Sequence, residues 1–218
     1  RVISLNTDYW YYVNFYNYIH MDYPDNSGML RFLTDELFAA EEAGERVWIM
    51  GHVLTGWNGG EALDRPSNLF YQIVSRFAPT TIAHIFFGHT HEDQLQVFYE
   101  NDNGVSASAK QHTQHAVTNA YIAPSITPYI NLNPTFRVYK FHPETFDTMD
   151  YDQYYTPISE FEKLKDADHG PVWRHLYSAR EAYGNFHQSV TDGNYAAGVK
   201  LDGTKSVSYT HLTLPTKA

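Results

Sequence analysis

Residues 85–93 read IFFGHTHED, and residues 47–52 read VWIMGH. In each, a run of large apolar side chains stops at Gly-His, and in the first a second histidine follows two positions later. Short, continuous apolar runs bounded by glycine suit strands buried on both faces. If two such strands are parallel neighbours, they finish at one edge of a sheet, where ligands collect in the loops beyond the carboxyl ends. His52 and His89 would then lie together at that rim. Glycine before each histidine is expected to let the backbone turn sharply as it leaves the sheet. In an extended segment residues i and i+2 project to one side, which predicts that His89 and His91 converge on one small volume. Neutral imidazole suits zinc, iron and other first-row metals. For any single histidine, a hydrogen-bonded place at the edge of the core is the ordinary alternative.

Working outward, RVISL at 1–5 is a short strand-like run, and residues 6–28 read as a long polar and aromatic excursion. From Ser27 the pattern becomes helical: Leu30, Leu33, Leu37 and Ala40 recur at helical spacing, with Gly44 as the stop. Residues 51–68 form a Gly-rich loop, and LFYQIVSRFA at 69–78 predicts a helix with Leu69, Ile73 and Phe77 on one side. DQLQVFYE at 93–100 alternates like a half-exposed strand. An irregular insertion is expected over 105–119, then strands in AYIAPSITPYI, TFRVYKF and TMDYDQYYT, and helical stretches around 160–166 and 172–183. Strand–helix alternation followed by strands predicts an α/β class with a parallel portion and a later antiparallel one.

Composition narrows the partners. A formal charge of −10 argues against nucleic-acid binding, which needs a basic face. Protonating all twelve histidines would add twelve charges to −10 and leave +2, so the sign could reverse in an acidic compartment. Without cysteine there is no disulfide frame and no thiolate metal site. No apolar run reaches the length of a bilayer span. The 18 tyrosines suit amphipathic surfaces, lipid-facing ones included, and equally a Tyr-rich core edge.

VWIMGH and FFGHTHED resemble the third and fourth histidine motifs of calcineurin-like metallophosphoesterases. APSITPYINLNPTFRVY and SAREAYG narrow the resemblance to the acid sphingomyelinase family of phosphodiesterases, over about residues 1–204. The resemblance implies a β-sandwich flanked by helices, with the C-terminal half of the catalytic domain at 1–145 and a small, truncated helical extension at 146–206. VSYTHLTLPT at 207–216 is similar to the translation of a sequencing-library adapter, so 207–218 is set apart as an expected artefact. The implied chemistry is metal-dependent phosphodiester hydrolysis with two divalent ions, usually zinc. His52 and His89 would bind one ion and His91 the other, and hydroxide would attack phosphorus in line.

The family's Asp-x-His, Gly-Asp and Gly-Asn-His motifs do not occur in these residues. The chain is therefore expected to be part of a longer enzyme and inactive alone, without a catalytic residue of its own. Trp57 and Tyr129 are the implied substrate-binding residues, and Asp93 is expected to orient a ligand imidazole. His84 is expected in the core, His112 and His115 in solvent, and His169, His175 and His187 in structural roles. The implied substrate is a phospholipid, sphingomyelin giving ceramide and phosphocholine, with membrane-surface contact and a secreted or lysosome-like setting. A nucleotide phosphoesterase or polyphosphatase, or a non-catalytic metal- or ligand-binding module, are the alternatives.

Overall fold

The structure, a computed structural model, describes residues 1–56, 61–100, 115–165 and 167–183. Five strands make one sheet: β1 (Val2–Ser4), β2 (Val47–Met50), β3 (Ile82–Phe87), β4 (Gln94–Tyr99) and β5 (Ala116–Ile122), in the order β1-β2-β3-β5-β4. The first three and β5 run parallel, and β4 returns antiparallel along β5. A second, antiparallel sheet has the order β6 (Thr135–Phe141), β7 (Thr148–Tyr155) and β8 (Arg174–Ser178). Among the described residues the α-helices are α1 (Met29–Ala43), α2 (Asp64–Phe77) and the short α3 (Ala179–Tyr183). The α/β class is as the sequence predicts. No described helix is long and apolar enough to cross a membrane.

Side-chain alternation divides the first sheet into two working faces. Trp48, Phe86 and Tyr121 point toward the second sheet, where rings meet: Phe86–Tyr139 at 5.1 Å, Tyr121–Tyr139 at 5.5 Å and Trp48–Phe141 at 5.1 Å. The alternate residues Ile49, Ile85 and Phe87 join the main apolar core with α1 and α2. Leu30, Leu33, Leu37 and Ala40 of α1 are all buried, and Gly44 closes the helix at φ 68°, its N–H donating to Ala40 and Glu41 carbonyls.

Four local expectations need correction. In α2 the buried stripe is Phe70, Val74 and Phe77, with Leu69 and Ile73 only partly covered. Phe70 wins because its ring meets Trp10 at 5.1 Å, Phe87 at 6.1 Å and Phe98 at 6.1 Å. The 6–28 excursion carries two 3-10 turns, Thr7–Tyr9 and Phe15–Tyr18, where Asn6 and Asn14 side chains accept from Asp8 and Tyr16 N–H groups. It is anchored by Trp10, which is fully buried and donates from Nε1 to the Val53 carbonyl at 3.0 Å. Residues 116–119 belong to β5 rather than to an irregular insertion. Finally, 172–183 is no continuous helix, because 174–178 pairs with β7 in the register Tyr154↔His175 and Asp152↔Ser178. Cross-strand pairing there outweighs a local helical pattern.

Candidate functional site

The register Ile49↔Ile85 and Met50↔Phe86 makes β2 and β3 finish level, so Gly51-His52 and Gly88-His89 leave the sheet side by side. Gly51 N–H donates to Phe86 O and Gly88 N–H to His52 O, both at 3.0 Å. Beneath them, Thr7 Oγ1 accepts from the N–H groups of His52 at 3.0 Å and Val53 at 2.7 Å. Gly51 is needed for close approach rather than for a turn. A Cβ there would lie 2.5 Å from Thr7 Cγ2 and 3.0 Å from Phe87 Cε1.

The turning is done by the histidines themselves. His89 at φ 74° and His91 at φ 62° are left-handed, so the extended geometry expected for His89-Thr90-His91 does not form. The two rings meet different neighbours. His89 meets His52 edge to face, centroids 5.1 Å apart, with His89 Nδ1 3.3 Å from His52 Nε2. Its other nitrogen, Nε2, is 3.0 Å from Glu61 Oε2. His91 lies edge-on to Tyr129, centroids 5.7 Å apart, and its Nδ1 is buried without a hydrogen-bond partner. Burial, and then the neighbouring His89, lower the His52 pKa; His91 adds in the same direction and Asp8 opposes.

Two imidazole nitrogens approach this closely by sharing a proton or by turning both lone pairs on one cation. Nitrogens held about 2.0–2.1 Å from a tetrahedral ion lie about 3.3–3.4 Å apart, and the His52–His89 gap matches that. His91 Nδ1 is an open valence on a residue of the same loop. The donor types therefore fit a borderline divalent ion. Among the described residues, no three His, Cys, Asp or Glu side chains converge as a complete ligand set.

No family model matches the chain. Among curated proteins, it is 35% identical over 185 residues to sphingomyelin phosphodiesterase 1 of Caenorhabditis elegans, covering 84% of this chain and 30% of that protein. It is 35% identical over 188 residues to the sphingomyelin phosphodiesterase of Homo sapiens, covering 84% and 27%. Acid sphingomyelinase-like phosphodiesterase 3b of Homo sapiens is 30% identical over 197 residues, covering 84% and 39%. The chain belongs to the acid sphingomyelinase-like family. It spans about 30% of the length of the curated relatives it matches.

In this sphingomyelinase-like chain the remaining sequence-predicted residues fall in different places. Tyr129 sits in the 3-10 turn Tyr129–Asn131, whose Ile130 and Asn131 also have positive φ, and its ring covers the edge of His91. Trp57 lies outside the described residues. Asp93 is buried beneath the loop, where one carboxylate oxygen pairs with Arg137 and the other accepts from the Tyr177 hydroxyl. Its structural bonds run to the second sheet and to no imidazole. Burial, and after it the Asp93 charge, push the Tyr177 phenol well above its ordinary pKa, so Tyr177 remains the donor. The carboxylate that meets His89 at the rim is Glu61, which sequence reasoning missed. Its one signal was being the acidic residue nearest the glycines of a loop already assigned to the rim.

Proposed function

We propose that this chain supplies the histidine-rich part of a metal-dependent phosphodiesterase site, acting on sphingomyelin and releasing ceramide and phosphocholine. The relatives named for sphingomyelin phosphodiesterase support the substrate class. The observation that carries the reading is the approach of His52 Nε2 and His89 Nδ1 to 3.3 Å at the shared end of β2 and β3. In this reading His52 and His89 hold one divalent ion and His91 Nδ1 the second, both of them zinc. When bound, such a pair supplies a nucleophilic oxygen at mild pH and offsets negative charge on the phosphoryl oxygens.

The chain's own residues bind and orient. Thr7 fixes the His52 backbone through its two accepted hydrogen bonds, so that imidazole is presented from a rigid strand end. Tyr129, 63% exposed beside His91, would border the phosphate-bearing head group. The lipid would approach over the exposed apolar side chains of Ile126, Tyr129 and Ile130 and of the 12–23 segment, where Phe15 is 79% exposed. Aromatic and aliphatic side chains together suit a membrane interface. A secreted or lysosome-like setting goes with this reading.

The test is to follow the products of a full-length protein carrying these residues. Phosphocholine release from sphingomyelin vesicles, abolished by a chelator and restored by zinc, is the expected result. Phosphate release from nucleoside triphosphates in place of phosphocholine would overturn the lipid assignment. Failure of every phosphoester with metal present would leave a binding module. The 218-residue chain by itself, with three imidazoles and none of the Asp-x-His, Gly-Asp or Gly-Asn-His motifs, is expected to show no appreciable turnover.

A further inference from the structure

Glu61 stands outside every motif that marks the site, yet its carboxylate meets His89 on the nitrogen that faces away from His52. Oε2 is 3.0 Å from His89 Nε2, and both side chains are about four-fifths buried, at 20% and 19% exposure. A carboxylate accepts and does not donate, so Nε2 must carry the proton. In a neutral imidazole that leaves Nδ1 with its lone pair aimed at His52 Nε2. We propose that Glu61 is a positioning residue that fixes His89 in the one tautomer able to bind a cation jointly with His52.

The backbone around Glu61 is built to hold it there. Tyr12 N–H donates to Glu61 O at 3.1 Å, and Leu63 N–H donates to Trp10 O at 2.8 Å. Between these bonds Ala62 pairs with Tyr11 in an isolated antiparallel bridge. Trp10 is fully buried, and the adjacent Tyr11 ring packs edge-on against His89 with centroids 4.8 Å apart. The 6–28 excursion therefore does two things at the site. It clamps the segment carrying Glu61 and walls one side of His89. Carboxylates in this position fix ring orientation and raise the basicity of the coordinating nitrogen, and losing one typically costs about 10–100-fold in metal affinity.

The inference rests on the metal-site reading above, and two separate measurements keep them apart. On the 218-residue chain, nitrogen-15 shifts of the His89 ring report the tautomer without metal, read on the alkaline plateau where they no longer change with pH. Cobalt(II) titration, followed by its visible absorbance, reports ion binding. The expected result is an Nε2–H tautomer in the native chain, a mixed tautomer in Glu61→Ala, and cobalt affinity about 10–100-fold lower in that variant. Glu61→Gln, whose amide oxygen still accepts, should keep the native tautomer and bind cobalt more tightly than Glu61→Ala. A native Nδ1–H tautomer would overturn the proposal, as would an Nε2–H tautomer unchanged in Glu61→Ala. If the native chain binds no cobalt while the tautomer still depends on Glu61, the positioning role stands and the metal reading falls.

Discussion

His84 within β3 and His89 just beyond its end are treated in opposite ways. Inside the sandwich, His84 Nε2 accepts from Thr148 N–H at 2.8 Å, so its proton sits on Nδ1 and is donated to Asn119 Oδ1 at 3.1 Å. Burial first, against opposing help from Asp147, takes its pKa down to about 4. Both nitrogens are satisfied and the ring is a neutral link between the two sheets. At the rim, His89 sits at φ 74° and turns one nitrogen toward another imidazole. A non-glycine residue held in that region typically costs about 1–3 kcal/mol, a price accepted where geometry serves a site. The pair teaches that an open valence in a constrained place, rather than the presence of histidine, marks function.

The carboxylates show the same division, and breaking the interior one gives the largest expected effect. Asp93 and Arg137 have side chains only 4% and 1% exposed, and the guanidinium also lies 4.0 Å above the Tyr151 ring and bonds to Gln153 Oε1 at 2.9 Å. Removing one partner strands a buried charge. Arg137→Met should therefore lower unfolding free energy by about 3–5 kcal/mol in urea titrations. The double variant with Asp93→Asn should be less destabilised than the two single losses added together. Strict additivity would show that the pair is not coupled across the sheets.

The next effect is a pH dependence of stability that belongs to His84 and not to the rim. Its folded pKa, about 4, lies below the ordinary imidazole value of about 6.5 that represents the unfolded chain. Between these values the unfolded chain binds more protons, so stability is full above the upper one and falls as pH drops toward the lower. The loss from this group is ~3 kcal/mol across that window. Repeating the urea titrations in His84→Gln should give a shallower pH slope; an unchanged slope would assign the dependence elsewhere.

Much of this architecture could be read from sequence because it follows from periodicity. The α1 stripe and its Gly44 stop, and the buried runs of β2 and β3, were each visible as spacing or composition. The meeting of His52 with His89 followed from two strands ending level. What escaped depended on contacts between distant segments. Nothing local in RHLYS announces that it pairs with β7 and delivers Tyr177 to Asp93. Glu61 gains its role from the bridge between its neighbour Ala62 and Tyr11, about fifty residues earlier, which no window of sequence contains. The left-handed turns at His89 and His91 were hidden for another reason: the flanking glycines offered an easier explanation, and the chain uses Gly51 for packing instead.

That use of Gly51 gives a smaller effect that tests the support under His52. In Gly51→Ala the new methyl would meet Thr7 Cγ2 at 2.5 Å, forcing apart the strand end and the hydroxyl that accepts from His52 and Val53. Overpacking of this kind costs about 1–3 kcal/mol. Pairing it with Thr7→Ser, which removes the clashing methyl and keeps the hydroxyl, should restore most of the loss. Rescue that failed would place the strain against Phe87 instead.

The smallest effect separates stability from function most directly. His91 combines a φ of 62° with a buried Nδ1 that has no partner, two features that oppose folding and that a bound ion would turn to use. Glycine adopts this backbone conformation without a steric penalty, although it loses more chain entropy on folding. His91→Gly should accordingly leave unfolding free energy unchanged or raised by up to ~1 kcal/mol, as the strain and the unsatisfied nitrogen disappear together. The same substitution should weaken zinc or cobalt binding measured on the same preparation. A residue kept only for packing would behave in reverse: its removal would lower stability and leave ion affinity alone. Measuring both quantities on one variant decides between them, because only the packing account predicts a loss of stability and only the site account a loss of ion affinity.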